Sequence, residues 1–150
     1  MAPMSRPDRL LPCLAALGLS APAAAAWEFS ADPICTLRHD TGAARIEITY
    51  DPAGPLYTLT LTRAADAWAE SPTFGMAFTG GPDLRIGTSR HQISGQALIV
   101  QDTGFGNVLD GLEFNTEALA FTDTQSVSLP LNDAAPAVRQ FRDCPATPLS

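Results

Sequence analysis

The stretch "AARIEITYDPAGPLYTLTLTR", residues 43–63, constrains the fold of this chain more than any other. Ile46, Ile48 and Tyr50 alternate with Arg45, Glu47 and Thr49, and Tyr57, Leu59 and Leu61 alternate with Thr58, Thr60 and Thr62. A period of two puts one set of side chains on each face of a strand. Two such runs around "DPAGP" predict an antiparallel hairpin with an apolar face buried and a polar, threonine-rich face in water.

Shorter runs of the same kind follow. "TFGMAFTG" places Phe74, Met76 and Phe78 on one side; "GGPD" is a turn, and "LRIGT" offers Leu84 and Ile86. "QALIVQD" is apolar enough for the middle of a sheet, and "ALAFTD" and "QSVSLPL" add two more strands. Pro130 has no amide hydrogen to give to a ladder, so the last strand is expected at a sheet edge or in a bulge. The ending "LNDAAPAVRQFRDC" changes period: Ala134, Val138 and Phe141 form a helical stripe. Asn132 or Asp133 is expected to cap it, and Arg139 and Arg142 stand in its last turns, where cations meet the negative end of the helix dipole. The predicted fold is mainly β: a small antiparallel β-sandwich or barrel with one short C-terminal α-helix, with a plain sandwich lacking the helix as the alternative.

Residues 1–26 are read apart from that fold. Arg6 and Arg9 precede the apolar "LLPCLAALGL", and "SAPAAAA" supplies small residues before Trp27. This is the pattern of a secretory signal peptide, with cleavage expected after Ala26 and a periplasmic or secreted destination. The remaining 27–150 would form a single β-rich domain with no membrane span; about 124 residues suffice for one core. Once the leader is removed, seven arginines face fifteen acidic residues, a net charge of −8, and there is no lysine. An acidic chain has no electrostatic reason to bind nucleic acid or an anionic membrane surface. Cys35 and Cys144 survive cleavage near the two ends of the domain, and in an exported chain an even pair predicts one disulfide. Closing so long a loop restricts the unfolded chain by roughly 4–5 kcal/mol on the loop-entropy account.

"QDTGFGNVLDGLEFN", residues 101–115, is the densest cluster of glycine and polar residues. A dinucleotide fingerprint fails because Leu109 stands where the third glycine belongs, and a phosphate loop fails for want of lysine. In a calcium-loop frame starting at Asp102, Asp110 and Glu113 fit, but Gly104 and Gly106 supply no side-chain oxygen and Asn107 replaces the required glycine. A looser calcium site on Asp102, Asn107 and Asp110 is the weaker alternative. The favoured reading is an elaborate turn: Gly104 and Gly106 at positive φ, Phe105 folded onto the core, and Asn107 capping a short helical turn "VLDGLEF" with Val108, Leu109 and Leu112 inward. Simpler turns would do as much, so the excess points to a binding surface.

Catalytic constellations are poorly supported. Ser94, His91 and Asp102 compose a triad by residue type only, without a G-x-S-x-G elbow. A zinc site built on His39 and His91 would need a further ligand, and both histidines read as surface or strand-end residues. No cofactor is expected. The preferred site is the face around Arg90, His91, Asp102, Asn107 and Asp110.

The leader, "WEFSADPICTLRH", "FGNVLDGLEFN" and "SVSLPLNDAAPAVRQFRDC" together resemble short exported proteins of alphaproteobacteria, uncharacterised as a group. The last of these segments, a strand and a small-residue helix closing on a cysteine, is distantly similar to the invasion-associated locus B family of periplasmic β-proteins. That resemblance implies a periplasmic β-fold with a terminal helix. The chain lacks that family's further cysteines, and no site residue is carried over. The expectation is a monomeric, non-catalytic binding or interaction module for an envelope protein or cell-wall component. A small exported hydrolase or metal-dependent enzyme, or a small-ligand carrier, is the alternative.

Overall fold

A computed structural model describes residues 26–144, together with Pro3 and Gly18. The leader expected over residues 1–26 lies almost wholly outside the described residues. Ten strands and two helices follow one another as β1 (Glu28–Ser30), β2 (Cys35–Asp40), β3 (Ala44–Asp51), β4 (Leu56–Arg63), β5 (Phe74–Thr79), β6 (Leu84–Thr88), β7 (Gln92–Ser94), β8 (Ala97–Asp102), α1 (Gly106–Phe114), β9 (Glu117–Phe121), β10 (Ser126–Pro130) and α2 (Ala134–Asp143). They form two antiparallel sheets, one ordered β1-β2-β3-β4-β8-β7 and the other β10-β9-β5-β6. The sheets remain separate, so the architecture is a sandwich and not a closed barrel. Among the described residues no helix is long and apolar enough to cross a membrane.

The central hairpin has the expected phase. In β3 and β4, Ile46 faces Leu61, Ile48 faces Leu59 and Tyr50 faces Tyr57 across the ladder. Ile46, Ile48, Leu59 and Leu61 are buried together with Leu37 and Leu98 of the same sheet. Phe74, Met76 and Phe78 of β5, Ala118 and Ala120 of β9, and Val127 and Leu129 of β10 come from the facing sheet, and all belong to one apolar core. Each buried Leu, Ile, Val, Met or Phe among them removes enough apolar surface to contribute about 1.5–3 kcal/mol. β10 is an edge strand carrying the exposed Pro130, as its sequence requires.

Cys35 and Cys144 are joined, with Cα atoms 6.2 Å apart and 109 positions between them. The bridge pins the end of α2 to β2. Ala134, Ala137, Val138 and Phe141 form the buried face of α2. Asp133 does occupy the capping position, but in the left-handed region (φ 60°) and without a side-chain hydrogen bond. The chain reverses there from β10 into the helix, and Ala134 N instead donates to Leu131 O at 3.1 Å.

The glycine stretch departs most from expectation. α1 is a nine-residue helix starting at Gly106, so Asn107 lies inside it and caps nothing. Buried Phe105 stands just ahead, and its carbonyl accepts the first helical bond from Leu109 N at 2.9 Å. Leu109 and Leu112 point inward as predicted, while Val108 is half-buried. Neither Gly104 nor Gly106 has positive φ; among the described residues the glycines that do are Gly42, Gly80 and Gly95.

His39 is a second correction. It is 8% exposed and stacks on Trp27, with ring centroids 4.6 Å apart. It stands next to the end of β2, but it shares its strand phase with the buried Leu37 and is therefore not a surface residue.

Candidate functional site

β6 ends the four-stranded sheet, whereas β8 is nearly the last strand of the other. Because β7 pairs with β8 only through Ala97, Leu98 and Ile99, residues 100–102 lack a strand on that side. The two sheets stand apart here, leaving an open cleft of about 410 Å³. Ile86, Gly87 and Thr88 form one wall; Val100, Gln101 and Asp102 form the other. Phe74 and Met76 line its interior, and the 104–108 segment closes one end.

Backbone geometry alone explains little of the glycine content of this cleft. A Cβ on Gly104 or Gly106 would meet nothing within 4 Å. At Gly111, one turn further into α1, a Cβ would lie 2.4 Å from the Phe78 ring. Gly111 is therefore required for α1 to lie flush on β5, whereas neither packing nor φ requires Gly104 or Gly106.

Of the five residues singled out from the sequence, three line the cleft: Arg90, Asp102 and Asn107. The Arg90 side chain is 77% exposed, and its Nη2 lies 3.4 Å from Asp102 Oδ2. Asp102 Oδ1 accepts the amide hydrogen of Thr103 at 2.7 Å, which holds the carboxylate at the rim. So long and exposed an ion pair contributes about 0–1 kcal/mol, and Arg90 can exchange this partner for another at little cost.

The structure separates the other two. His91 turns from the cleft, its Nε2 2.9 Å from the carbonyl oxygen of Ser71. Asp110 faces a neighbouring depression with Asn107 and pairs with Arg142 of α2 at 2.5 Å. Arg142 Nε also lies 3.1 Å from Glu113 Oε1, near enough to pair although not aligned as a hydrogen bond. Asp102 and Asp110 thus each meet a different arginine. Among the described residues no three His, Cys, Asp or Glu side chains gather as a metal site would require.

The triad composed from the sequence is also dispersed. Ser94 pairs with Ala97 at one end of β8, and Asp102 pairs with Tyr57 at the other. Sequence reasoning overlooked a different serine, Ser71, whose hydroxyl lies 2.5 Å from Asp123 Oδ1. His91 reaches only the carbonyl of that serine, so its imidazole does not contact the hydroxyl.

An aromatic row connects the disulfide to the cleft. Cys35, Tyr50, Tyr57 and Asp102 stand side by side across the six-stranded sheet. The Tyr57 ring lies 4.6 Å from that of Tyr50 and 5.3 Å from that of Phe105, at the cleft's end. Burial is the main reason the Tyr57 hydroxyl titrates above the ordinary phenol value; nearby Tyr50 adds to the rise and Arg142 opposes it. Asp40, in the distant β2–β3 turn, is held below the usual carboxylate value, first by the Gly42 amide and then by Arg45. A second, more apolar cavity of about 580 Å³ adjoins the disulfide, lined by Phe29, Pro33, Ile34, Tyr50, Pro52 and Cys144 among others.

No family model matches this chain, and no curated protein or solved structure does either.

Proposed function

We propose that the chain is a non-catalytic binding module of the bacterial periplasm, which engages an envelope component through the cleft between β6 and β8. The observation that carries this reading is the pair Gly104 and Gly106, which border the cleft although neither packing nor backbone conformation requires them. Residues without side chains keep the cleft open, and its volume is within the range of sites that hold a small ligand or a short segment of a larger one. Arg90 supplies a weakly committed cation at the rim, and Asp102 and Asn107 supply polar groups. The leader pattern of residues 1–26 and a disulfide suited to an oxidising compartment support the location. The resemblance of the C-terminal segment to periplasmic β-proteins points the same way.

Filling the cleft tests this reading. Mature protein and its Gly104→Leu/Gly106→Leu variant are exported to the periplasm of the same bacterium, purified gently and weighed by native mass spectrometry. A bound species present on the wild type and missing from the variant is expected. A wild type that carries nothing, or a species retained by the variant, overturns it.

A further inference from the structure

We infer that the cleft takes an extended segment of another polypeptide, added as a strand along the free edge of β6; this rests on the binding reading above and names its ligand class. An edge strand presents a row of unpaired amide and carbonyl groups, and proteins usually protect such edges with proline, charge, brevity or a covering element. Three of the four sheet edges here are protected. β10 carries Pro130, whose carbonyl accepts the Trp27 indole hydrogen at 3.1 Å. β1 and β7 are only three residues long, and α2 packs on β1. β6 has five residues, "LRIGT", without a proline or an inward-pointing charge. Among the described residues it is the sheet-end strand without these protections, and α1 approaches it only beside Leu84.

What surrounds β6 suits a strand. Residues 86–88 line the cleft on the core side and a shallow depression of about 490 Å³ on the outer side, where Arg85 and Phe121 also lie. Successive side chains of an added strand point alternately to opposite faces. One set would enter the cleft beside Ile86 and Thr88, and the other would lie on the outer side beside Arg85 and Gly87. Gly87 places no side chain in the way, and its position in the strand allows another backbone to approach closely. Arg85 stacks on Phe121 at 4.7 Å and has no carboxylate partner among the described residues; Arg90 stands nearby. Arg85, a cation on the outer face of the edge, can take a carboxylate, so the expected segment alternates apolar residues on its core side with at least one acidic residue.

The test uses the mature, disulfide-bonded protein and a random nine-residue peptide library displayed on phage. The expected result is a set of binders with alternating apolar positions. A synthetic peptide of that set slows amide exchange along residues 84–88 and loses at least tenfold in affinity when alternate amides on one edge are N-methylated. N-methylation of the intervening amides has little effect. Gly87→Pro, which obstructs the edge, and Gly104→Leu/Gly106→Leu, which fills the cleft from positions with open space, both weaken binding at least tenfold. If no peptide binds, if every N-methylated position behaves alike, or if protection appears elsewhere, the inference is wrong. It is equally wrong if β6 of a second copy occupies the edge, seen as a dimer that Gly87→Pro dissolves. A non-peptide species displaced by cleft filling in the native mass experiment would overturn strand addition yet leave the binding reading standing; a failure of that experiment would overturn the binding reading itself.

Discussion

The two flanks of this sandwich are closed in opposite ways. Where β1 and β10 meet, Trp27 stacks on His39 and donates to Pro130, α2 lies against β1 and β2, and the Cys35–Cys144 bridge secures the corner. Between β6 and β8 the long, exposed Arg90–Asp102 pair spans the rim, and two of the bordering residues are glycines with open space around them. One core supports both flanks, so the difference lies in what each was given to cover it. The sealed flank holds the fold, and the open flank is where the proposed ligand would sit.

Substitutions should separate the two. The largest effect belongs to the sealed flank. Replacing both cysteines by serine should lower stability by about 4–5 kcal/mol, read from the denaturant midpoint and matched by adding reductant to the wild type. Trp27→Ala should cost about 3–5 kcal/mol, because a buried indole and its hydrogen bond disappear together. An unchanged midpoint in either case would dissolve the distinction between the flanks.

A finer comparison lies within α1. Gly111→Ala should destabilise by about 1–3 kcal/mol, since the new methyl group meets the Phe78 ring. Gly104→Ala and Gly106→Ala should be neutral or stabilise by up to about 1 kcal/mol through a less flexible unfolded chain. Equal penalties at all three positions would mean that the cleft glycines serve the fold.

The pH effects are smaller. Tyr57 has a raised folded-state pKa, so its contribution is complete below the unfolded value near roughly pH 10 and is lost as pH rises through the folded value. Thermal melts should therefore fall in strong alkali, and Tyr57→Phe should lessen the fall. Asp40 has a lowered folded-state pKa. Its contribution holds above the unfolded value, near roughly pH 3.9, and disappears as pH falls through the folded one. Asp40→Asn should slightly flatten the acid limb of the melting profile, the weakest effect of the five.

Much of the fold was legible because strand phase is a local property. The β3–β4 hairpin follows from adjacent alternation, and the edge position of β10 follows from Pro130. His39 was misread although the signal was present: two residues after Leu37 on the same strand, it shares the buried face. The 103–107 segment was misread for another reason. Glycine in a turn predicts positive φ, whereas Gly104 and Gly106 have none and are distinguished by the open space around them. Of the five residues singled out from the sequence, Arg90, Asp102 and Asn107 line the cleft while His91 and Asp110 face elsewhere, because nearness along the chain does not fix which side of a strand or helix a residue takes.

Alternation, the helical stripe of α2 and the paired cysteines depend on neighbours along the chain or on residue chemistry, and the amino-acid sequence by itself determined them. Which strands besides β10 became edges, which edges were covered and where a gap remained depend on pairings between residues far apart in the chain. Those pairings are set by how two sheets and two helices fill one core, and only the tertiary structure decided them.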